Sequence, residues 1–230
     1  MQSSEGEAAD DGVETRPLFG RACGCATFEQ RLLRFEAGSS PRCDPDRDEV
    51  LFVLAGSGRA TMGDDSVTLT SGTAVFVARG TTWQVDKAAN LEVLSVLVLD
   101  PLPGESTHAV IEVESQETGA ATAGRMFRVL AGPEVGCASV TQFVGLIPVV
   151  RAPDHFHRYD EVVYVVKGRG ALHVGGDSVA VQTGTAIHFP SGLVHCLENT
   201  GPGEMQVLGV FRPAGSPAEA YYPDGTKAEY

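Results

Sequence analysis

The chain has 230 residues, with 17 Lys and Arg against 30 Asp and Glu, so its formal net charge at pH 7 is -13. That length suffices for one large domain or two small ones with real cores, and an acidic surface repels a phosphate backbone, which argues against nucleic acid as a partner. Five cysteines, no signal-peptide pattern and no apolar run of membrane-spanning length fit a reducing cytoplasm and no membrane partner.

In chain order, residues 1–15 (MQSSEGEAADDGVET) carry five acidic residues and little apolar content, a composition that predicts a disordered tail. From residue 16 the chain repeats itself. At an offset of 112, residues 16–101 align with 128–213 without a gap, and about a quarter of the positions are identical. Cys25 meets Cys137, Gln30 meets Gln142, Glu49 meets Glu161, and Gly56-x-Gly58 meets Gly168-x-Gly170.

The first copy is expected over 16–104. Its apolar runs at 50–54 (VLFVL) and 91–99 (LEVLSVLVL) read as strands, with turn signals at Gly63-Asp64-Asp65 and Ser71-Gly72. Residues 105–124 read as a linker with one strand at 108–113 (HAVIEV). The second copy, 125–230, repeats the pattern with strands at 162–166 (VVYVV) and 205–211 (MQVLGVF), and ends in a tail expected to pack through Tyr221 and Tyr222. Short runs apolar on both faces need cover on both faces, so an all-β sandwich per copy is the expectation, and association into a homo-oligomer is a further one.

The segment 153–161 (PDHFHRYDE) concentrates the candidate chemistry. His155, His157 and Glu161 share a parity, so on an extended backbone their side chains leave by the same face. A Pro190-x-Gly192 turn then leads to His195, which an antiparallel neighbour would bring opposite the first three. Three imidazoles and one carboxylate make a mixed nitrogen and oxygen site with open positions on an octahedral ion.

These residues resemble the two motifs of the cupin superfamily: His155-x-His157-x3-Glu161-x6-Gly168, and Gly184-x5-Pro190-x-Gly192-x2-His195-x3-Asn199. With the duplication, the chain resembles a bicupin, which implies two tandem jelly-roll barrels with His155, His157, Glu161 and His195 as ligands of one divalent ion in the second. The resemblance favours Mn or Fe, with Ni, Co or Zn as alternatives. The first copy departs from the motif at Cys43, Pro45, Trp83 and Lys87 and keeps only Glu49, so it is read as a degenerate, metal-free site whose cavity the Trp83 ring fills. Cys25 reads as a core cysteine.

What the resemblance implies for activity is metal-assisted chemistry on a small, oxygen-rich metabolite. Dioxygenation comes slightly ahead of decarboxylation, isomerisation or C–N hydrolysis of the ureidoglycine aminohydrolase kind, and a non-catalytic binding protein is the remaining alternative. Tyr159 and His188 are the candidate catalytic residues, Tyr159 for its parity with the ligands and His188 as a general base on the strand leading to His195. His173, Gln142, Arg151 and Arg158 are candidate substrate-binding residues.

Overall fold

The computed structural model describes residues 7–8, 11–103 and 107–229. Among them the only helical elements are four single-turn 3-10 helices, and no helix is long and apolar enough to cross a membrane. The chain divides into two compact units, residues 1–115 with 133–139, and residues 116–132 with 140–230.

The first unit holds β1 (Glu7–Ala8), β2 (Glu14–Phe19), β3 (Phe28–Phe35), β4 (Asp48–Met62), β5 (Asp65–Thr70), β6 (Thr73–Val77), β7 (Trp83–Val98) and β8 (His108–Glu112). All pairings are antiparallel, in the order β1-β2-β3-β7-β4-β6-β8, with β5 on β4. β4 and β7 run through register shifts near Ala55 and Ser57, and this bend lets each long strand serve both faces of a jelly roll. Gly56 sits at the bend with φ +77, and a Cβ there would lie 2.0 Å from the carbonyl oxygen of Asn90.

The second unit holds β9 (Gly119–Ala120), β10 (Met126–Ala131), β11 (Thr141–Ile147), β12 (Asp160–Lys167), β13 (Arg169–Val174), β14 (Asp177–Gln182), β15 (Ala186–Phe189), β16 (His195–Asn199) and β17 (Met205–Arg212). They form two antiparallel sheets, β15-β12-β17-β11-β10-β9 and β14-β13-β16. Shifting by 112 maps β2 onto β10, β3 onto β11, β5 onto β14 and β6 onto β15. β4 maps onto β12 plus β13, and β7 onto β16 plus β17, so the continuous bent strands of the first unit are here broken in two. The duplication read in the sequence is therefore a duplication of strand order, and the fold is all-β throughout.

Alternation decides which side chains enter the core. In the first unit Leu33, Phe35, Leu51, Val53, Met62 and Trp83 share one buried cluster, and in the second Ile147, Val163, Val165, Ile187, Phe189 and Val207 share another.

Two boundaries differ from the sequence reading. Glu7–Ala8 pairs with Glu14–Thr15, so the expected disorder of 1–15 does not hold there, while residues 1–6, 9 and 10 lie outside the described residues. The expected linker 105–124 is not a free connection. Its strand β8 closes the edge of the first sheet on β6, and β9 pairs with β10 in the second unit, because an exposed strand edge gains backbone hydrogen bonds by being covered.

Candidate metal centre

His155 and His157 lie on the extended approach to β12, and His195 opens β16. His155 and His195 exchange backbone hydrogen bonds of 3.0 and 2.8 Å, and this bridge seats the two imidazoles side by side, their ring centroids 4.8 Å apart. The His157 ring is 5.0 Å from His155 and 5.4 Å from His195. Gly192, at φ +82 in the turn before β16, donates its N–H to the His157 carbonyl at 2.8 Å and ties that turn to the first motif.

Each ring is held by its Nδ1. In His155 it donates to the Pro153 carbonyl at 2.9 Å, in His195 to the Leu193 carbonyl at 2.9 Å, and in His157 to the Glu219 carbonyl at 2.7 Å. A carbonyl oxygen only accepts, so every Nδ1 carries the proton and every Nε2 offers a free lone pair. One ligand atom from each ring lies within 4.8 Å of the other two. Burial, with neighbouring imidazoles and Arg125 adding to it, drives His155 and His157 down to about 3, and burial with Arg125 drives His195 to about 4. The rings are therefore neutral at pH 7, as metal ligation requires.

The three rings open into a cavity also lined by Thr122, Arg125, Phe143, Tyr159, Glu161 and Phe189. Glu161 lines it without joining the 4.8 Å group of the imidazoles. Its carboxyl is pushed up to about 8 by burial, with Arg125 pulling the other way. Tyr159 stacks on His157 at 4.6 Å and on Phe211 at 4.0 Å, and burial pushes its phenol well above the ordinary value. Three neutral imidazoles with closely grouped ligand atoms and a buried carboxyl lining the same cavity suit a divalent transition metal.

The other candidates lie elsewhere, for reasons of strand parity. His188 stands between Ile187 and Phe189, both in the core, so it points outward and bonds the Asp160 carboxylate at 2.9 Å. His173 follows Leu172, which packs on the core, and it meets Glu198 at 2.7 Å on the opposite face. Gln142 is fully buried, yet it leaves β11 on the side away from the cavity-lining Phe143 and Gly145. Arg151 is exposed, 3.6 Å from Asp154, and Arg158 lies over the Tyr221 ring at 4.0 Å. None of these five lines the cavity.

In the first unit Trp83 is 3% exposed and packs with Phe35 in the core, where its ring occupies the position of His195. Glu49 is buried and bonded by Arg31 at 3.0 Å and by the Ser95 hydroxyl. Cys43, expected at the position of His155, is exposed, because here Arg42 forms the bridge to Trp83 and the one-residue slip turns Cys43 outward. Cys25 and Cys137 are fully buried.

Sequence reasoning missed Arg125, Thr122 and Gly145 of the cavity wall, and Gly209 behind Phe143 and Glu161. A Cβ on Gly209 would lie 2.3 Å from the Phe143 ring and 3.0 Å from a Glu161 oxygen, so only glycine leaves room for both.

Residues 143–211 match the family model of the Cupin domain. Over 60 residues the chain is 37% identical to an uncharacterized protein of Streptomyces coelicolor, a stretch that is 26% of this chain and 56% of that one. Over 103 residues it is 28% identical to the polyketide synthase CurC of Streptomyces cyaneus, covering 43% of this chain and 66% of that one. The chain thus spans between 56% and 66% of the curated relatives it matches. Among solved structures, Ylba from E. coli superposes with a TM-score of 0.75 at 12% identity, covering 90% of this chain and 86% of that one. A mutant of Bacillus subtilis oxalate decarboxylase OxdC superposes with a TM-score of 0.73 at 14% identity, covering 89% and 74%. These likenesses share a fold, and the stretch from within β11 to within β17, which carries His155, His157, Glu161 and His195, is matched to the Cupin domain family.

Proposed function

We propose that the chain is a bicupin in which the second unit is a metal-dependent enzyme for a small, oxygen-rich metabolite, and that its chemistry is of the dioxygenase type. The observation that carries this reading is the set of three neighbouring imidazoles, each fixed through Nδ1 and each offering one ligand atom within 4.8 Å of the other two. His155, His157 and His195 hold the ion, with Glu161 as the fourth ligand. Mn or Fe suits this nitrogen and oxygen set and leaves positions for substrate. Bound there, the ion supplies Lewis-acid stabilisation of negative charge on a substrate oxygen.

The chain's own groups have separable tasks. Phe143, Phe189 and Val163 exclude water from the cavity, Tyr159 presents a phenol O–H that stays protonated, and Glu161, at about 8, holds a proton until an ion displaces it. The first unit has a structural role: its Trp83 closes the position that His195 opens. The odd number of cysteines supports placement in a reducing cytoplasm.

The test is metal analysis of protein purified without a histidine tag, wild type beside His195→Ala, followed by O2 uptake on a panel of enols and small acids. About one equivalent of Mn or Fe, lost in the variant, is the expected result. No metal after reconstitution with Mn, Fe, Ni, Co and Zn would overturn the reading, and metal without O2 uptake would overturn its oxidative part.

A further inference from the structure

Arg125 is the one lysine or arginine among the residues lining the cavity. It enters from the start of the segment leading into β10, behind Ala123 and Gly124, both of which hold left-handed backbone at φ 59 and 68. A left-handed alanine costs free energy, and such strain persists where the surroundings enforce it. Its Nε donates to the Thr122 carbonyl at 3.0 Å and one Nη donates to the Thr122 hydroxyl. A guanidinium has five N–H donors, so the fork is fixed in direction while the others stay open toward the cavity. No carboxylate among the described residues is within hydrogen-bond distance of it, Glu161 acts on it only across the cavity, and burial pulls its basicity down.

That placement works against metal binding. The guanidinium lines the same cavity as the three imidazoles, and its charge repels any cation they would hold. Glu161 in the same cavity offsets part of this charge, but as a ligand of the ion it is shared with the metal, so an anion that enters with the substrate completes the balance. At the equivalent repeat position of the first unit stands Val13, 1% exposed within the core, so the charge belongs to the copy that carries the imidazoles. Apart from Thr122, Tyr159 and Glu161 the remaining wall is apolar, including Phe127, Phe143 and Phe189.

We propose that Arg125 is a substrate-binding residue that takes the carboxylate of a small monocarboxylic acid, with a 2-oxo or 2-hydroxy oxygen directed at the imidazoles and an apolar substituent against the aromatic wall. This rests on the metal-enzyme reading above and narrows its substrate class. One cation accounts for one carboxylate, and a bidentate fork suits its two oxygens.

The experiment is calorimetric titration of the reconstituted protein with pyruvate and with its methyl ester, for wild type, Arg125→Met and Arg125→Lys, with metal affinity measured on each by competition with a chromophoric chelator. Wild type is expected to bind the acid and not the ester. Arg125→Met should lose roughly 10- to 100-fold in acid affinity, Arg125→Lys less, since it keeps the charge without the fork. The same Arg125→Met change should tighten metal binding, because a repulsive charge is gone. Equal binding of acid and ester by wild type overturns the proposal without recourse to any variant, as does undiminished acid binding by Arg125→Met. Metal affinity that falls in Arg125→Met also overturns it, by making the arginine a prop of the metal centre. If wild type takes no metal yet binds the acid through Arg125, the anion site stands and the metal reading fails.

Discussion

Four positions related by the repeat hold opposite kinds of side chain in the two units: Val13, Leu33, Trp83 and Leu97 in the first, Arg125, Gly145, His195 and Gly209 in the second. In the first unit all four are buried. In the second, two glycines remove the bulk of two leucines, and an arginine and a histidine bring polarity into the space. The same strand frame is thus filled or hollowed by the volume of a few side chains, while the backbone order is unchanged. Glu49 and Glu161 show that a retained carboxylate does not by itself keep a site. Glu49 is bonded by Arg31, where the second unit has Phe143, whereas Glu161 makes no such direct ion pair, feels Arg125 across the cavity and shares its space with three imidazoles.

The sharpest way to break this comparison is to write the second unit's ligands into the first. Trp83→His combined with Cys43→His and Pro45→His restores the three imidazole letters of the motif. We expect a loss of about 3–5 kcal/mol in stability to denaturant, because a fully packed indole leaves a cavity and a polar ring takes its place. We also expect no Mn or Fe beyond the wild-type content, because the Arg42–Trp83 bridge turns position 43 to the outside. A second equivalent of metal in that triple variant would show that ligand identity outweighs register.

A smaller effect is expected from filling the hollow instead. Gly209→Leu gives the second unit the residue of the first, and its side chain must displace the Phe143 ring or the Glu161 carboxylate. Overpacking of this kind costs about 1–3 kcal/mol. The informative readout is metal retention together with acid binding: both are expected to fall while far-UV circular dichroism stays the same. Unchanged retention and binding would mean that the cavity is not the route to the imidazoles.

The sequence made much of this legible, and the reasons are local. Period-2 runs such as 162–166, with turn glycines at fixed spacing, have one economical solution, so strand order followed from the repeat. His155, His157, Tyr159 and Glu161 share a parity, and the cavity receives all four. The same rule, applied to the apolar neighbours Ile187 and Phe189, already places His188 outside, and Leu172 does the same for His173. Arg125 was illegible for a different reason. It lies immediately after a segment whose polar, glycine-rich composition reads as a linker, and its partner Val13 lies in a segment whose acidity reads as disorder. What brings Arg125 to the imidazoles is the tertiary path of the chain into β10, which no short-range pattern encodes.

The gentlest test concerns the tail, and it separates a ligand from what positions it. After β17 the chain returns over the first motif, where Phe156 and Tyr221 exchange backbone hydrogen bonds of 2.9 Å and stack at 5.6 Å. Two residues before Tyr221 is Glu219, whose carbonyl takes the Nδ1 proton of His157 and so fixes the tautomer that leaves Nε2 free. His155 and His195 take their acceptors from carbonyls two residues away in sequence, whereas His157 depends on one 62 residues distant. The ring most exposed to loss of support is therefore His157. Tyr221→Ala removes the stacking on Phe156 and the ring under Arg158, and should loosen the tail without touching a ligand. Partners that orient a metal-bound imidazole are worth roughly 10- to 100-fold in affinity, so a partial loosening is expected to lower metal affinity by about tenfold with little change in melting temperature. Chelator competition reads the first quantity and thermal denaturation of the metal-free protein the second. A fall in melting temperature with metal affinity intact would make the tail a packing element only, and the tautomer of His157 would then be held without it.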